Sequence, residues 1–200
     1  MKPYFFTQLF SSVSLLAVLS LPVRAELDET QYAILSSVLS HGLGEACSTL
    51  VIEDQTTSGS FSLSTPETSL TTVAEIIGIE PEMLEDWQRI NSDFEFLSEN
   101  FAIACDYQLI TTEERNELFA ASESNQPEQN WEKFRRKYQD AAGIMRMSKP
   151  VVDSAEENAL AYVEFDCGPA CGSGRFVSLS KSPTGTWQVS GGALAWMATE

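Results

Sequence analysis

Apolar residues recur along this chain with two different periods. Between residues 30 and 140 they fall three or four apart, the spacing of a helix face. Beyond residue 143 they alternate, the spacing of a half-buried strand. Tyr32, Leu35, Val38 and Leu39 predict a helix over 30–43, stopped by Gly42 and Gly44. Leu50-Val51-Ile52 predicts a short buried strand. The Ser/Thr-rich run 56–64 offers only Phe61 and Leu63 as apolar anchors and reads as a loop or edge strand. Thr65-Pro66-Glu67 sets a capping hydroxyl before a proline, and a helix continues through Leu70, Val73, Ala74 and Ile77 to Gly78. Pro81 opens another through Leu84, Trp87 and Ile90, while 93–104 fits helix or loop equally.

Thr111-Thr112-Glu113-Glu114 has the spacing of a capping box and starts a helix through Leu118 and Phe119. A polar linker over 122–127 follows. Trp131, Phe134 and Tyr138 then put one aromatic stripe on a helix of 128–140 that ends near Gly143. Strands are predicted at 144–147, 151–152, 159–165, 175–181 and 186–190. They are joined by the turn 153–158, a loop from Cys167 to Gly174, and Ser182-Pro183-Thr184-Gly185. The expected fold is α+β. A mainly helical part, 26–125, precedes a long helix packed on an antiparallel β-meander, 126–200, within one domain.

The first residues change the picture of where this domain works. Lys2 is followed by an apolar stretch centred on Val13, Leu15, Leu16, Ala17, Val18, Leu19 and Leu21, then by Pro22 and the small-x-small triplet Val23-Arg24-Ala25. This is the layout of a signal peptide cut after Ala25, with an apolar core too short to span a bilayer. The expectation is a periplasmic or secreted domain over 26–200 with no membrane anchor after cleavage.

Charge narrows the partners. The chain carries 29 Asp and Glu against 12 Lys and Arg, a net of −17. Residues 26–125 hold most of the acids against only Arg89 and Arg115. Such a surface repels phosphate backbones and anionic membranes, so nucleic acid is not an expected partner. The partner stays unknown; the acidic region and the basic cluster Lys133, Arg135, Arg136 and Lys137 are the two places where a protein could dock, and the cluster reads first as a solvated helix face. No D-x-[DN]-x-[DN]-G loop accompanies the acids.

Four cysteines, Cys47, Cys105, Cys167 and Cys171, allow three pairings. Gly168-Pro169 reads as a turn that brings Cys167 to Cys171, which leaves Cys47 for Cys105. The run Trp131-x-x-Phe134-x-x-x-Tyr138, Gly143, Ser148, Ala159-Leu160-Ala161-Tyr162-Val163, Cys167-Gly168-x-x-Cys171-Gly172-x-Gly174 and Trp187 resembles a family of uncharacterised exported bacterial proteins. Its ending, Gly185-Thr186-Trp187-Gln188-Val189 after a turn, is similar to cystatin-like and NTF2-like cones. That resemblance implies a helix against a curved sheet and no particular activity.

The candidate chemistry is thin. Cys167-Gly-Pro-Ala-Cys171 resembles a thioredoxin motif with one residue added, but Glu164 and Asp166 raise a thiol pKa where a redox pair wants it lowered. Ser178-Leu-Ser-Lys181 lies in an alternating strand, whereas an S-x-x-K nucleophile opens a helix. Gly172-Ser-Gly174-Arg175 has backbone amides for an anion but no helix behind it. His41 is the only histidine, set at a helix end where a cation is favoured, and with paired cysteines it leaves too few ligands for zinc. No catalytic, cofactor or metal residue is assigned. Two functions fit: a non-catalytic secreted or periplasmic binding domain, or a hydrolase-like enzyme using carboxylates in a cone-shaped pocket.

Exported protein is expected to begin at Glu26 by intact mass, and Met1 retained on periplasmic material would contradict that. Non-reducing peptide mapping is expected to join Cys47 to Cys105 and Cys167 to Cys171, not Cys47 to Cys167.

Overall fold

The alternating region folds as an antiparallel array, but the sheet does not stop there. The computed structural model describes residues 26–43, 49–59, 70–120 and 127–198. Within them lie helices α1 (Glu29–Leu43), α2 (Leu70–Ile77), α3 (Pro81–Ile90), α4 (Thr112–Phe119) and α5 (Pro127–Lys137). The strands are β1 (Thr49–Glu53), β2 (Tyr107–Ile110), β3 (Ala141–Met147), β4 (Val151–Val152), β5 (Asn158–Gly168), β6 (Cys171–Lys181) and β7 (Trp187–Met197). They form one seven-stranded open sheet in the order β2-β1-β3-β5-β6-β7, with β4 also paired to β5. The fold class is α+β.

The acidic region is therefore not merely helical. β1 runs parallel to both β2 and β3 and sits between them. Its run Leu50-Val51-Ile52 is buried, the mark of a strand covered on both faces. β2 escaped prediction because Tyr107-Gln-Leu-Ile110 is four residues long and abuts a capping box that masks its end. The N-cap half of the capping box forms, with the Glu114 amide donating to Thr111 Oγ1 at 3.1 Å, while the Glu114 carboxylate turns to Lys137 and Tyr138. Gly78 ends α2 at φ +68, which lets the Ile79 amide reach back to the Ala74 carbonyl at 3.1 Å. The proposed helix start at Thr65 and most of the linker 122–127 lie outside the described residues.

Alternation along the strands gives the sheet two apolar faces. On one, Met147, Ala159, Ala161, Val163, Val177, Leu179 and Trp187 pack with Leu35, Val38 and Leu39 of α1. On the other, Leu160, Tyr162 and Phe176 meet Val73 and Ile77 of α2 and Leu84 and Trp87 of α3. Trp131 and Phe134 of α5, and Tyr138 just past its end, are buried as the stripe requires, but against Val51, Ile110 and Ile144. The stripe thus covers the parallel end of the sheet, while α1, α2 and α3 cover the meander. The helix also stops at Lys137, before Gly143. Gly143 lies within β3, where a Cβ would stand 2.2 Å from the Asp166 carbonyl oxygen. Close approach of β3 and β5, not a helix end, requires that glycine.

The β5–β6 hairpin carries its pairing further than the expected loop implied. Past a register shift after Asp166 it continues to Gly168 and Cys171, so the expected Cys167–Gly174 loop shrinks to Pro169 and Ala170. Between β6 and β7, Gly185 supplies the turn at φ +84.

β3 and β4 pair with the same edge of β5, and Ser148 lies between them. Its amide donates to the Tyr162 carbonyl at 2.9 Å. Its Oγ accepts from the Tyr162 amide at 2.9 Å and from Trp87 Nε1 at 2.9 Å. Asn91, just past α3, reads the next residue, accepting from the Lys149 amide at 2.8 Å and donating to its carbonyl at 3.1 Å. One serine and one asparagine fasten α3 to the irregularity in the sheet.

Phe134→Ala is expected to cost about 3–5 kcal/mol and Lys133→Ala under about 0.5, measured by denaturant melts. Silence of the aromatic truncation would turn α5 outward. Ser148→Ala strands two buried donors and is expected to cost about 2–5 kcal/mol in the same assay. A loss below about 1 kcal/mol would mean that another acceptor replaces the serine.

Candidate functional site

A single helix cannot cover the strands beneath it. The 15 residues of α1 rise over roughly 22 Å at 1.5 Å each. The 11-residue strands β5 to β7 run over roughly 36 Å. Beside the C-terminal half of α1 the described residues leave a groove of about 770 Å³. Val38, Leu39 and His41 form the helix wall, and Leu50 and Met145 close one side. Val163, Phe165, Ser173, Arg175, Val177, Val189 and Leu194 supply the floor and the far rim. This size suits a small ligand, and the lining is apolar with few polar points.

Its charge opposes that of the chain. The groove lining includes Arg175 and His41 but, among the described residues, no Asp or Glu. Strand register explains the arginine. Arg175 lies opposite Val163 on β5 and Leu194 on β7, at an alternating position that also holds Val177 and Leu179. Sequence analysis named Arg175 and His41 for other reasons, and the structure brings both to one groove. The legible signal was an arginine in phase with the apolar face of its strand.

The other face of the meander holds a buried polar network. Glu164 has no exposed surface and receives Arg146 Nη2 at 2.7 Å. The same nitrogen meets Asp166 at 2.8 Å. The Tyr162 hydroxyl donates to Glu164 at 2.7 Å and accepts from Trp196 Nε1 at 2.8 Å. Trp196 and Tyr162 meet above β6 only because Gly174 has no side chain: a Cβ there would lie 2.1 Å from both. Burial first, and then the Glu164 carboxylate, push the Tyr162 hydroxyl well above its ordinary 10.0. Both carboxylates are engaged by Arg146, so the pair offers no free acid or base. The network is a brace joining β3, β5 and β7.

Other candidates resolve into structure. Cys167 and Cys171 are bonded, with Cα atoms 5.0 Å apart, across the hairpin tip. Cys105 is also disulfide-bonded, and its expected partner Cys47 lies outside the described residues. Ser178 donates to the Ile77 carbonyl at 3.1 Å, and Lys181 turns over the Trp187 ring. Gly172 and Gly174 lie in β6, so no amide-lined loop forms there.

The basic cluster is dispersed. Lys133 reaches Asn130, Arg135 the Cys167 carbonyl, Arg136 the Glu132 carbonyl, and Lys137 the Glu114 carboxylate. Burial opposes ionisation of Glu114, but hydrogen bonds from Lys137 and Tyr138 outweigh it and hold the carboxyl below its usual range. Among the described residues no three His, Cys, Asp or Glu are placed to hold a metal ion.

Comparison with family models, with curated proteins and with solved structures finds no match.

Tyr162 gives a pH dependence. Its folded pKa is raised, so its contribution to stability is complete below about pH 10 and declines as pH rises beyond it. In denaturant melts, the stability gap between wild type and Tyr162→Phe is expected to narrow above about pH 10. A constant gap would mean that Tyr162 ionises alike in both states.

Proposed function

We propose that the chain is an exported, non-catalytic binding domain, periplasmic or secreted, whose groove beside α1 takes an apolar small molecule. The groove carries this reading: about 770 Å³, a floor of Val163, Phe165, Val177 and Val189, and no carboxylate among the described lining residues. A hydrolase working through acidic residues needs them where the substrate lies. Here Glu164 and Asp166 are bound to Arg146 on the opposite face. His41 likewise has no carboxylate beside it among the described lining residues.

Export is supported by the layout of residues 1–25 and by the Cys167–Cys171 bond, since disulfides persist in oxidising compartments. No helix among the described residues is long and apolar enough to cross a membrane.

The test is displacement of the neutral fluorophore phenylnaphthylamine by a series of primary alcohols. Each buried methylene is worth about 0.8 kcal/mol, so affinity is expected to rise about fourfold per carbon until the groove is full. Failure of the protein to take up the fluorophore, or a flat series, would overturn the proposal.

A further inference from the structure

We infer that the groove's ligand is an amphipathic monocarboxylate, its carboxylate held by Arg175 and its hydrocarbon tail lying toward α1 along Val163, Val38 and Leu39. This rests on the groove being a small-molecule site and adds the headgroup.

The other described Lys and Arg side chains are all engaged. Arg89, Arg115, Lys137, Arg146 and Lys149 each pair with a carboxylate. Lys133, Arg135 and Arg136 donate to neutral oxygens, and Lys181 sits over an aromatic ring. Arg175 alone among the described Lys and Arg has no hydrogen-bond, ion-pair or ring partner there. That is notable in a chain of 29 acids, where an arginine finds a carboxylate with little difficulty.

Its position gives the cation something to do. Arg175 is flanked across the sheet by Val163 and Leu194, so a molecule resting on the apolar floor ends beside the guanidinium. The guanidinium fork matches one carboxylate with two parallel hydrogen bonds. One guanidinium in the described lining balances one carboxylate, and the chain's net −17 weighs against polyanions. Orientation follows from the helix. The wall formed by Val38, Leu39 and His41 is the last part of α1, the end at which a helix carries partial negative charge. The carboxylate therefore belongs at Arg175 and the tail at the helix.

The experiment uses protein expressed from its full sequence and recovered as the cell processes it. Dodecanoate, dodecanol and dodecyltrimethylammonium compete for the bound fluorophore on wild type, Arg175→Gln, Arg175→Lys and Arg175→Glu. Arg175 is exposed, so each variant is expected to melt like wild type. Wild type is expected to favour the acid over the alcohol by about tenfold or more, the size of a charge-assisted hydrogen bond. That ratio is expected to approach one in Arg175→Gln, to recover partly in Arg175→Lys, and to give way to preference for the ammonium in Arg175→Glu. Equal binding of acid and alcohol by wild type, or a ratio unmoved by Arg175→Gln, would overturn the headgroup assignment and leave the groove standing. If no competitor displaces the fluorophore, both readings fall.

Discussion

Six successive residues of β5, Ala159 to Glu164, are buried, and that two-sided burial dictates the arrangement around them. A strand apolar on both faces needs cover on both, and no single helix provides it. α1 takes one face, and α2 with α3 takes the other. The parallel pair β1 and β2 extends the sheet past β3 and needs its own cover, which α5 gives with its aromatic stripe. The same burial explains the brace. Glu164 is the one charge in the buried run, and a carboxylate with no access to water is tolerable only when paired and hydrogen-bonded. Arg146 from the neighbouring strand, Tyr162 from two residues earlier, and Trp196 from across a glycine meet that demand.

The strong asymmetry of charge along the chain does not divide the fold in two. β1, from the acidic part, lies between β2 and β3 and pairs with the more balanced part through β3. The acids of the region are accommodated at the surface or tied locally, as Glu53 is to Arg115 and Thr112. Against that background, a groove whose described lining lacks any acid is a departure in composition, not an average piece of surface.

How much of this could be read beforehand depended on whether the deciding contact was local. Helix ends were legible because Thr111, Gly78 and Pro81 act within a turn of themselves. The meander was legible because alternation is a property of each strand. β1 and β3 were legible as strands, but β2 and the parallel pairing were not, since β2 has four residues and its partner β1 lies far away in sequence. Gly143 was read as a helix stop because its true neighbour, Asp166, becomes adjacent only through pairing with β5. The groove shared that obstacle. It is lined by a helix and by strands far apart in sequence, which no local pattern expresses. Only the phase of Arg175 within its strand hinted at it.

The insertion of β1 between β2 and β3 also sets an order of events. β1 leaves the ribosome early, yet β3, one of its two neighbours, follows about ninety residues later. The hairpins β5–β6 and β6–β7 close over short turns and have no such wait. Until β3 arrives one edge of β1 stands open, and Val51 and Ile52 lack part of the cover they have in the fold. Over an interval close to half the chain's length, β1 therefore presents an unpaired edge to whatever surrounds it.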